Sequence, residues 1–325
     1  MSRILVTGAG GYVGSGLVDT LSVAGWEVRA LGRERAEHLD VEQVVVDLAR
    51  DPGAVAAACE GIDVVVHLAG DNEVVAARDP AFALGGTVLA TERLAEAVAA
   101  AKVKRLVYMS TVHVYGRRIR GGVTLTEEMR AEPQAPYAIA RLASEHLVAG
   151  LAPAGVEVVS LRLTNSLGAP AHASVDRWTL VANDLCRQGA LDGRLELHSS
   201  GSQWRDFIAL ADVRSAVAVA CRIEEPGVAA GTYNLGSGTP MTVRDIAELV
   251  QDSFERCTGR RPELTSPPVE PERERPHPYH VSVERLARSG VSAETPIAEA
   301  VEETVRFCLA NRQELAGSAD SLGAR

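Results

Sequence analysis

The chain carries a phenol and a guanidinium at a spacing suited to proton transfer. Tyr137 and Arg141 are four residues apart in the stretch 133–145, which predicts the opening of a long helix. Residues four apart lie one turn above each other on a helix face, so the cation would favour the phenolate form of the tyrosine. Thr111, at the end of a predicted strand, could hydrogen-bond the same reacting oxygen. These residue types predict acid–base chemistry at a substrate oxygen.

Two histidines near these residues have different interpretations. His113 lies two residues beyond Thr111. An imidazole titrates near pH ~6.5 and suits proton abstraction beside a carbonyl, so His113 is either a second acid–base group or only a contact to a substrate hydroxyl. His67, inside a predicted strand, is interpreted as a packed or turn-forming histidine, because lone histidines are seldom reactive.

The first sixteen residues predict a dinucleotide cradle. Gly8, Gly11 and Gly14 follow a short apolar run and precede a helical pattern. Such glycines let the backbone turn tightly and let a pyrophosphate approach the N–H groups that begin the helix. An ordinary strand-to-helix turn is the alternative, but the position between a strand and a helix favours dinucleotide binding. The predicted cofactor-binding residues are Gly8, Gly11, Tyr12, Val13, Gly14, Arg33, Asp47, Leu48, Leu68, Ala69 and Gly70.

The residues after the second strand bear on which dinucleotide binds. An acid there would accept hydrogen bonds from a ribose 2′-hydroxyl, whereas an arginine can pair with a 2′-phosphate. The sequence has Gly32 and Arg33 at this point, which favours NADP over NAD. A solvated surface arginine is the alternative. Asp47, at the end of the third strand, could bind the adenine amino group.

The predicted elements indicate an α/β fold with a Rossmann-type doubly wound parallel sheet and a smaller C-terminal α/β substrate-binding lobe. Continuous apolar runs bounded by polar residues are typical of strands that are covered on both faces. The predicted domains are a Rossmann domain over 1–165, to which about 205–235 return, a lobe over 166–315 and a tail over 316–325. Predicted elements that position the site are strands 27–31, 44–48, 63–70, 105–111, 156–162, 195–198 and 232–235, helices 87–101, 178–189 and 243–257, and loops 71–80 and 266–278.

Composition excludes several classes of partner. The net charge of −10 argues against nucleic acid and anionic membranes. Five cysteines without metal-ligand spacing predict a reducing cytoplasm, with neither a disulfide framework nor a metal. No apolar run reaches about 18 residues and no charged-then-apolar leader begins the chain, so we expect neither a membrane span nor a secretion signal.

Several motifs together resemble the extended short-chain dehydrogenases/reductases that modify nucleotide sugars. In order they are T-G-A-G-G-Y-V-G, S-T-V-H-V-Y-G, P-Y-A-I-A-R-L-A-S-E, R-L-T-N-S-L-G, W-R-D-F-I and Y-N-L-G-S-G, and the resemblance extends from Met1 to about Leu309. It implies that Tyr137 is the catalytic acid/base, that Thr111 helps to bind the substrate oxygen and that Arg141 lies on the nicotinamide ribose, so the family resemblance adds Tyr137 and Arg141 to the predicted cofactor-binding residues. It also implies a nucleotide-diphosphate sugar as substrate and a homodimer formed by the helices from Thr87 and from Tyr137, although the first of these helices could instead serve the monomer core.

Further site residues follow from the same resemblance. Asn165 resembles a substrate-contacting asparagine, Arg205 resembles the residue that grips the diphosphate, and Arg275 or Arg273 could reach the same phosphates, with plain solvation as the alternative. Position 113 corresponds to a glutamate in related sugar dehydratases and to a cysteine in some epimerases.

The sequence departs from the family pattern at three positions. At the position where the family usually has a lysine this chain has Arg141, which keeps the charge but cannot donate a proton. Gly32 stands where the family usually has an acid after the second strand, and Ala83 stands where it usually has an asparagine that supports the fourth strand.

The resemblance therefore implies a nucleotide-sugar epimerase that acts through a transient keto-sugar by tyrosine-assisted hydride transfer, with NADP or NAD as cofactor. The alternatives are an NADPH-dependent 4-ketoreductase of a nucleotide-linked keto-deoxysugar and a catalytically silent NADP-binding sensor.

Overall fold

The computed structural model describes residues 2–223, 227–268 and 277–316. Arg275, Arg273 and residues 317–325 of the predicted tail lie outside these ranges. The strands are β1 (Arg3–Thr7), β2 (Glu27–Gly32), β3 (Glu42–Val45), β4 (Val64–His67), β5 (Arg105–Thr111), β6 (Thr124–Leu125), β7 (Glu157–Leu163), β8 (Asn165–Leu167), β9 (Arg194–Glu196), β10 (Trp204–Ala209), β11 (Gly231–Leu235), β12 (Pro240–Thr242), β13 (Glu263–Thr265) and β14 (His280–Val281). The α-helices are α1 (Tyr12–Val23), α2 (Pro52–Cys59), α3 (Glu73–Arg78), α4 (Pro80–Ala100), α5 (Pro136–Ala149), α6 (Val181–Asp192), α7 (Leu210–Ala220), α8 (Val243–Thr258), α9 (Glu284–Ala287) and α10 (Ile297–Ala310).

Seven parallel strands form the main sheet, in the order β11-β7-β5-β4-β1-β2-β3. Every residue of β4 and β5 is buried, because helices cover both faces. On one face α1 contacts α7, and on the other α4 contacts α2 and α5. The predicted Rossmann-type doubly wound sheet is confirmed.

The sheet register brings the carboxyl ends of neighbouring strands to one edge. Thr7 is paired with both Leu31 and His67, and Thr111 is paired with Leu163. The loops that follow these strands therefore start side by side, which is where ligands bind in open parallel sheets.

A second group of elements packs beside this edge. Helices α6, α8 and α10 contact one another around a core that includes Phe207 and Phe254. Strands β8, β10 and β12 form a small sheet next to it, whereas β11 rejoins the main sheet. The division near residue 165 stays a prediction. No helix within the described ranges is both long and apolar enough to cross a membrane.

Two predictions about the chain after β4 were wrong. The predicted loop 71–80 contains α3, which begins where the Asn72 Oδ1 accepts hydrogen bonds from the N–H groups of Val74 and Val75, each at 3.0 Å. Helix α4 begins at Pro80 and not at Thr87, because Asp79 accepts a hydrogen bond from the Phe82 N–H and proline suits the first helical position.

Other element boundaries also differ from the predictions. The third strand is Glu42–Val45 and not 44–48, so Asp47 lies in the turn beyond it and accepts a hydrogen bond from the Ala49 N–H at 3.0 Å. The helix predicted at 178–189 is Val181–Asp192, and it ends where Gly193 has φ 68°. The strand predicted at 195–198 is Arg194–Glu196, and the strand predicted at 63–70 is Val64–His67.

Candidate active site

A cavity of about 1860 Å³ lies between the carboxyl edge of the main sheet and the smaller lobe. It is lined by every predicted site residue that the structure describes: Gly8, Gly11, Tyr12, Val13, Gly14, Arg33, Asp47, Leu48, Leu68, Ala69, Gly70, Thr111, His113, Tyr137, Arg141, Asn165 and Arg205. Arg275 lies outside the described residues. The fold thus brings the two halves of the predicted site into one cleft.

The glycine turn at one end of the cavity fits a dinucleotide pyrophosphate. Gly11 precedes α1, and no side chain caps this helix start and no acid lies in its first turn, so its N–H groups remain for an anion. A Cβ on Gly14 would lie 2.3 Å from the Gly8 carbonyl oxygen, and one on Gly8, where φ is 69°, would lie 2.9 Å from the Ala69 nitrogen. Only glycine permits this close approach of backbones.

Two contacts across the cleft lie beyond what the sequence predicted. The Tyr12 hydroxyl donates to the Gly168 carbonyl oxygen at 2.9 Å, which joins the start of α1 to the loop after β8. In the same region the imidazoles of His38 and His172 stack with their centroids 5.3 Å apart. No local pattern in the sequence could have paired these residues, since the two members of each pair are more than 100 residues apart along the chain.

Helix α5 presents Tyr137 and Arg141 to the cavity as the four-residue spacing predicts. The Arg141 Cζ lies 5.4 Å from the centroid of the Tyr137 ring. Its Nη1 donates to the carbonyl oxygens of Ala69 at 3.4 Å and Met109 at 3.3 Å. Burial would lower the pKa of Arg141, but the phenols of Tyr137 and Tyr108 outweigh this effect and raise it. The guanidinium is therefore a fixed positive charge beneath the tyrosine.

Gly70 provides the space that this guanidinium occupies. A Cβ at Gly70 would lie 3.0 Å from the Arg141 Nη2, and the φ of 144° favours glycine. The bulkier arginine in place of the family's lysine is thus accommodated by the turn after β4.

A buried ion pair fixes α5 against the sheet one turn beyond Arg141. Glu145 accepts from the Arg162 Nη2 at 2.8 Å and from the Nε at 3.1 Å, and the Ser110 hydroxyl also donates to it. Ser110 precedes Thr111 on β5, so the same contacts hold the strand end and the helix in register. The Thr111 Oγ1 accepts from the His113 N–H at 3.3 Å, which leaves its own proton for a ligand oxygen.

His113 is exposed to the cavity in the 3₁₀-helix Val112–Arg118. Desolvation inside the cleft lowers the pKa of His113 most, the Arg205 guanidinium lowers it further, and Glu73 acts in the opposite direction. A lowered pKa keeps the imidazole neutral near pH 7, the form that can accept a proton.

His67 is packed and not part of the cavity wall. Its side chain is fully buried, with Nδ1 2.8 Å from the Thr7 Oγ1 and Nε2 3.0 Å from the Thr91 Oγ1. The interpretation as a packed histidine is confirmed. Ala83 has no polar side chain with which to hold the chain after β4. The nearby Thr87 forms a hydrogen bond to this chain instead, because its Oγ1 accepts from the Asp71 N–H at 3.2 Å.

Charged groups line the part of the cavity around Arg205 and His113. Arg205 donates to the Asn165 Oδ1 at 3.2 Å, and the Asn165 Nδ2 donates to the Asp206 carbonyl oxygen at 2.9 Å. The sequence did not predict that Glu73 and Arg177 form an ion pair here at 2.7 Å. The sequence signal that could have placed Glu73 on a short helix is Asn72, because asparagine is a common residue at helix N-caps. Over the described residues, no three His, Cys, Asp or Glu side chains form a candidate metal site.

Arg33 lies exposed at the end of β2 and lines the cavity. Within residues 2–223, 227–268 and 277–316 its side chain forms no hydrogen bond or ion pair. Burial raises the pKa of Asp71, and the charges of Arg33 and Arg141 oppose this rise. Arg33 thus faces the cavity with its hydrogen-bond donors free.

Comparisons with known proteins agree with this geometry. The family model described as the NAD dependent epimerase/dehydratase family matches residues 4–236. The chain is 34% identical over 282 residues to dTDP-6-deoxy-L-talose 4-dehydrogenase (NAD(P)(+)) of Kitasatospora kifunensis, covering 82% of this chain and 83% of that protein. It is 30% identical over 290 residues to UDP-glucose 4-epimerase of Streptomyces lividans, covering 82% and 84%.

Solved structures show the same architecture. MoeE5 in complex with UDP-glucose and NAD superposes with a TM-score of 0.81 at 25% identity, covering 96% of this chain and all (100%) of that one. MoeE5 in complex with UDP-glucuronic acid and NAD gives a TM-score of 0.78 at 26% identity, covering 94% and 98%. The chain therefore belongs to the NAD-dependent epimerase/dehydratase family and is an NAD(P)-dependent enzyme of the extended short-chain dehydrogenase/reductase type.

Proposed function

We propose that this protein is a nucleotide-sugar epimerase that oxidises one sugar carbon to a transient ketone and reduces it again from the other face. The carrying observation is that Tyr137, stacked on the Arg141 guanidinium, lies with Thr111 in a cavity that also contains the glycine turn and Arg205. Acid–base groups, a dinucleotide cradle and a diphosphate-binding arginine are the parts that such a reaction needs.

In the proposed mechanism, each residue acts on a stated atom. A nicotinamide dinucleotide, when bound at the glycine turn, supplies the hydride acceptor and donor. Tyr137 as phenolate takes the proton from the sugar hydroxyl while that carbon is oxidised, and it returns the proton to the same oxygen on reduction. Arg141 stabilises the phenolate, and the Thr111 hydroxyl donates a hydrogen bond to the reacting oxygen.

The other cavity residues hold the substrate. Arg205 and Asn165 bind the diphosphate and the adjoining sugar, since a planar guanidinium pairs with phosphate oxygens through two hydrogen bonds. His113 either exchanges a proton beside the ketone or only contacts a sugar hydroxyl.

A 4-ketoreductase on a nucleotide-linked keto-deoxysugar is the second candidate. It is favoured by the free donors of Arg33, which suit NADPH, and by the similarity to a dTDP-sugar 4-dehydrogenase. A catalytically silent sensor is disfavoured, because it would not need Tyr137, Thr111 and Arg205 in one cavity.

The experiment is a substrate screen with UDP-, dTDP-, GDP- and CDP-hexoses in deuterated water, followed by NMR. An epimerase interconverts two sugars with no net oxidation or reduction of the cofactor. A reductase consumes NADPH only when a keto-sugar is offered. If the native protein incorporates deuterium at the carbon beside the ketone and His113→Ala does not, His113 is the group that transfers this proton. No conversion of any of these substrates would contradict the proposal.

We further propose that NADP is the preferred dinucleotide. Arg33 is exposed just beyond β2 and lines the cavity, and within the described residues its side chain forms no hydrogen bond or ion pair, so its donors are available to a 2′-phosphate. Arg33→Ala should weaken NADP binding about 10- to 150-fold, the equivalent of about 1.5–3 kcal/mol, because a charge-assisted hydrogen bond is lost. Fluorescence titration with NADPH and NADH measures both affinities, and NADH is the internal control. Equal affinities in the native protein would contradict this preference.

We also propose a homodimer in the cytoplasm. Ile139 on α5 is an exposed apolar side chain outside the cavity, and Phe82 and Leu89 on the neighbouring helix α4 are also exposed, although they line the cavity as well. A second copy with the same faces would cover them in a symmetric four-helix contact. The five unpaired cysteines are compatible with a reducing compartment.

A further inference from the structure

The sugar end of the cavity contains an ion pair that crosses the cleft. Glu73 lies in the first turn of α3, and Arg177 lies in the segment before α6. The Arg177 Nη2 donates to the Glu73 Oε2 at 2.7 Å, and its Nη1 donates to the Thr179 Oγ1 at 3.0 Å. Both side chains line the cavity, and that of Glu73 is 44% exposed against 19% for Arg177. The carboxylate is thus the more accessible partner of the pair.

This pair lies close to the reacting centre. His113, two residues beyond Thr111, interacts electrostatically with both Glu73 and Arg205, and all three side chains line the cavity. Burial raises the pKa of Glu73, but the hydrogen bond to Arg177, the charge of Arg177 and smaller contributions that include His113 together outweigh burial and lower the pKa. Glu73 is therefore an anion at neutral pH, in a wall that a hexose bound at Thr111 and Tyr137 would face.

The charges at this wall cancel before any ligand binds. Glu73 neutralises Arg177, and Arg205 is assigned to the diphosphate. A neutral hydroxyl can donate to the Glu73 carboxylate and accept from Arg177 without disturbing their pair. A sugar carboxylate would have to displace Glu73 from Arg177 or lie beside it as a like charge, and both cost free energy.

We propose that Glu73 makes this site selective for a nucleotide-linked uncharged hexose and excludes the corresponding hexuronic acid. The inference rests on the proposed nucleotide-sugar epimerase function. It assigns a specificity role to a residue that takes no part in proton or hydride transfer: Glu73 acts by occupying the guanidinium that a uronate would need.

The test compares UDP-glucose with UDP-glucuronic acid, which differ at carbon 6 only. Calorimetry on the cofactor-loaded protein gives the ratio of the two dissociation constants, with uridine diphosphate as the reference. The native protein should bind UDP-glucose at least tenfold more tightly. Glu73→Gln, which keeps the shape but frees Arg177, should reduce this preference tenfold or more by strengthening uronate binding. Glu73→Asp, which keeps the charge, should retain the preference.

Glu92→Gln is the matched control, because Glu92 is exposed on α4 and does not line the cavity. It should leave the ratio as in the native protein. The inference is overturned if the native protein binds both compounds equally, binds neither better than uridine diphosphate, or keeps its preference in Glu73→Gln. If only the specificity role of Glu73 is wrong, the substrate screen still shows interconversion of two epimers. If the proposed epimerase function is wrong, the screen shows no such conversion for any nucleotide sugar.

Discussion

At the scale of single residues, the reactivity of the site depends on the Tyr137 hydroxyl. Its ring lies on the Arg141 guanidinium, which the carbonyl oxygens of Ala69 and Met109 hold in place. Because arginine cannot release its proton near neutral pH, Arg141 serves as a fixed charge and does not relay protons to solvent.

Tyr137→Phe should therefore lower turnover by at least about 10²–10⁴-fold, the usual contribution of a positioned acid–base group. Dinucleotide affinity should stay unchanged, since the ring still covers Arg141. Steady-state conversion and fluorescence titration give the two quantities. Tyr233→Phe is the control, because that hydroxyl only donates to the Ala229 carbonyl oxygen. Full activity of Tyr137→Phe on the identified nucleotide sugar would overturn the catalytic assignment.

At the scale of elements, His67 connects β1 and α4 through the hydroxyls of Thr7 and Thr91. Burial, with a smaller effect of the Arg141 charge, lowers the pKa of His67 to about 3. In the unfolded chain a histidine titrates near ~6.5. From about pH 6.5 down to about 3 the unfolded chain thus binds a proton that the folded chain does not, so acid favours unfolding.

We expect the free energy of unfolding to fall on acidification below about pH 6.5, with His67 contributing up to about 1.4 kcal/mol per pH unit. Urea unfolding between pH 7.5 and 5 measures this slope. His67→Asn should be less stable at pH 7.5 but should have a flatter profile. His146→Asn, at an exposed position of α5, should keep the native slope. Equal slopes in the native protein and His67→Asn would show that His67 does not cause the acid sensitivity.

At the scale of the whole molecule, the exposed apolar side chains on α4 and α5 bear on assembly. Ile139 is 40% exposed and does not line the cavity, so a change there tests the surface without altering the site. Ile139→Glu would place two like charges in a symmetric contact, and we expect it to convert a native dimer into monomers at micromolar concentration. Sedimentation velocity measures the mass.

The control for assembly is Val23→Glu. Val23 is 90% exposed on α1 and lies away from α4 and α5 in the layered fold. The Val23→Glu substitution should leave the dimer intact. A monomeric native protein, or a dimer that persists in Ile139→Glu, would argue against this interface.

The amino-acid sequence by itself determined what depends on neighbours along the chain. The spacing of Gly8, Gly11 and Gly14 between a strand and a helix implies the tight turn that the structure contains. Tyr137 and Arg141 share a face because helix pitch relates residues four apart. The buried β4 was predicted from its short continuous apolar run between polar residues, a pattern typical of a strand covered on both faces.

Where side chains rather than periodicity set an element, sequence reasoning failed. Asn72 and Asp79 are common in loops and also cap helices, and only the observed hydrogen bonds to the following N–H groups decide between the two. The start of α4 and the existence of α3 were missed for this reason.

Only the tertiary structure decided which distant residues meet across the cleft. Glu73 and Arg177 come from an element of the main-sheet region and from the chain before α6, and their contact depends on how the lobe packs against the sheet edge. The same is true of His38 with His172 and of Tyr12 with Gly168. No periodicity encodes such pairs, because their geometry follows from strand order and packing between layers and not from the pitch of any single element.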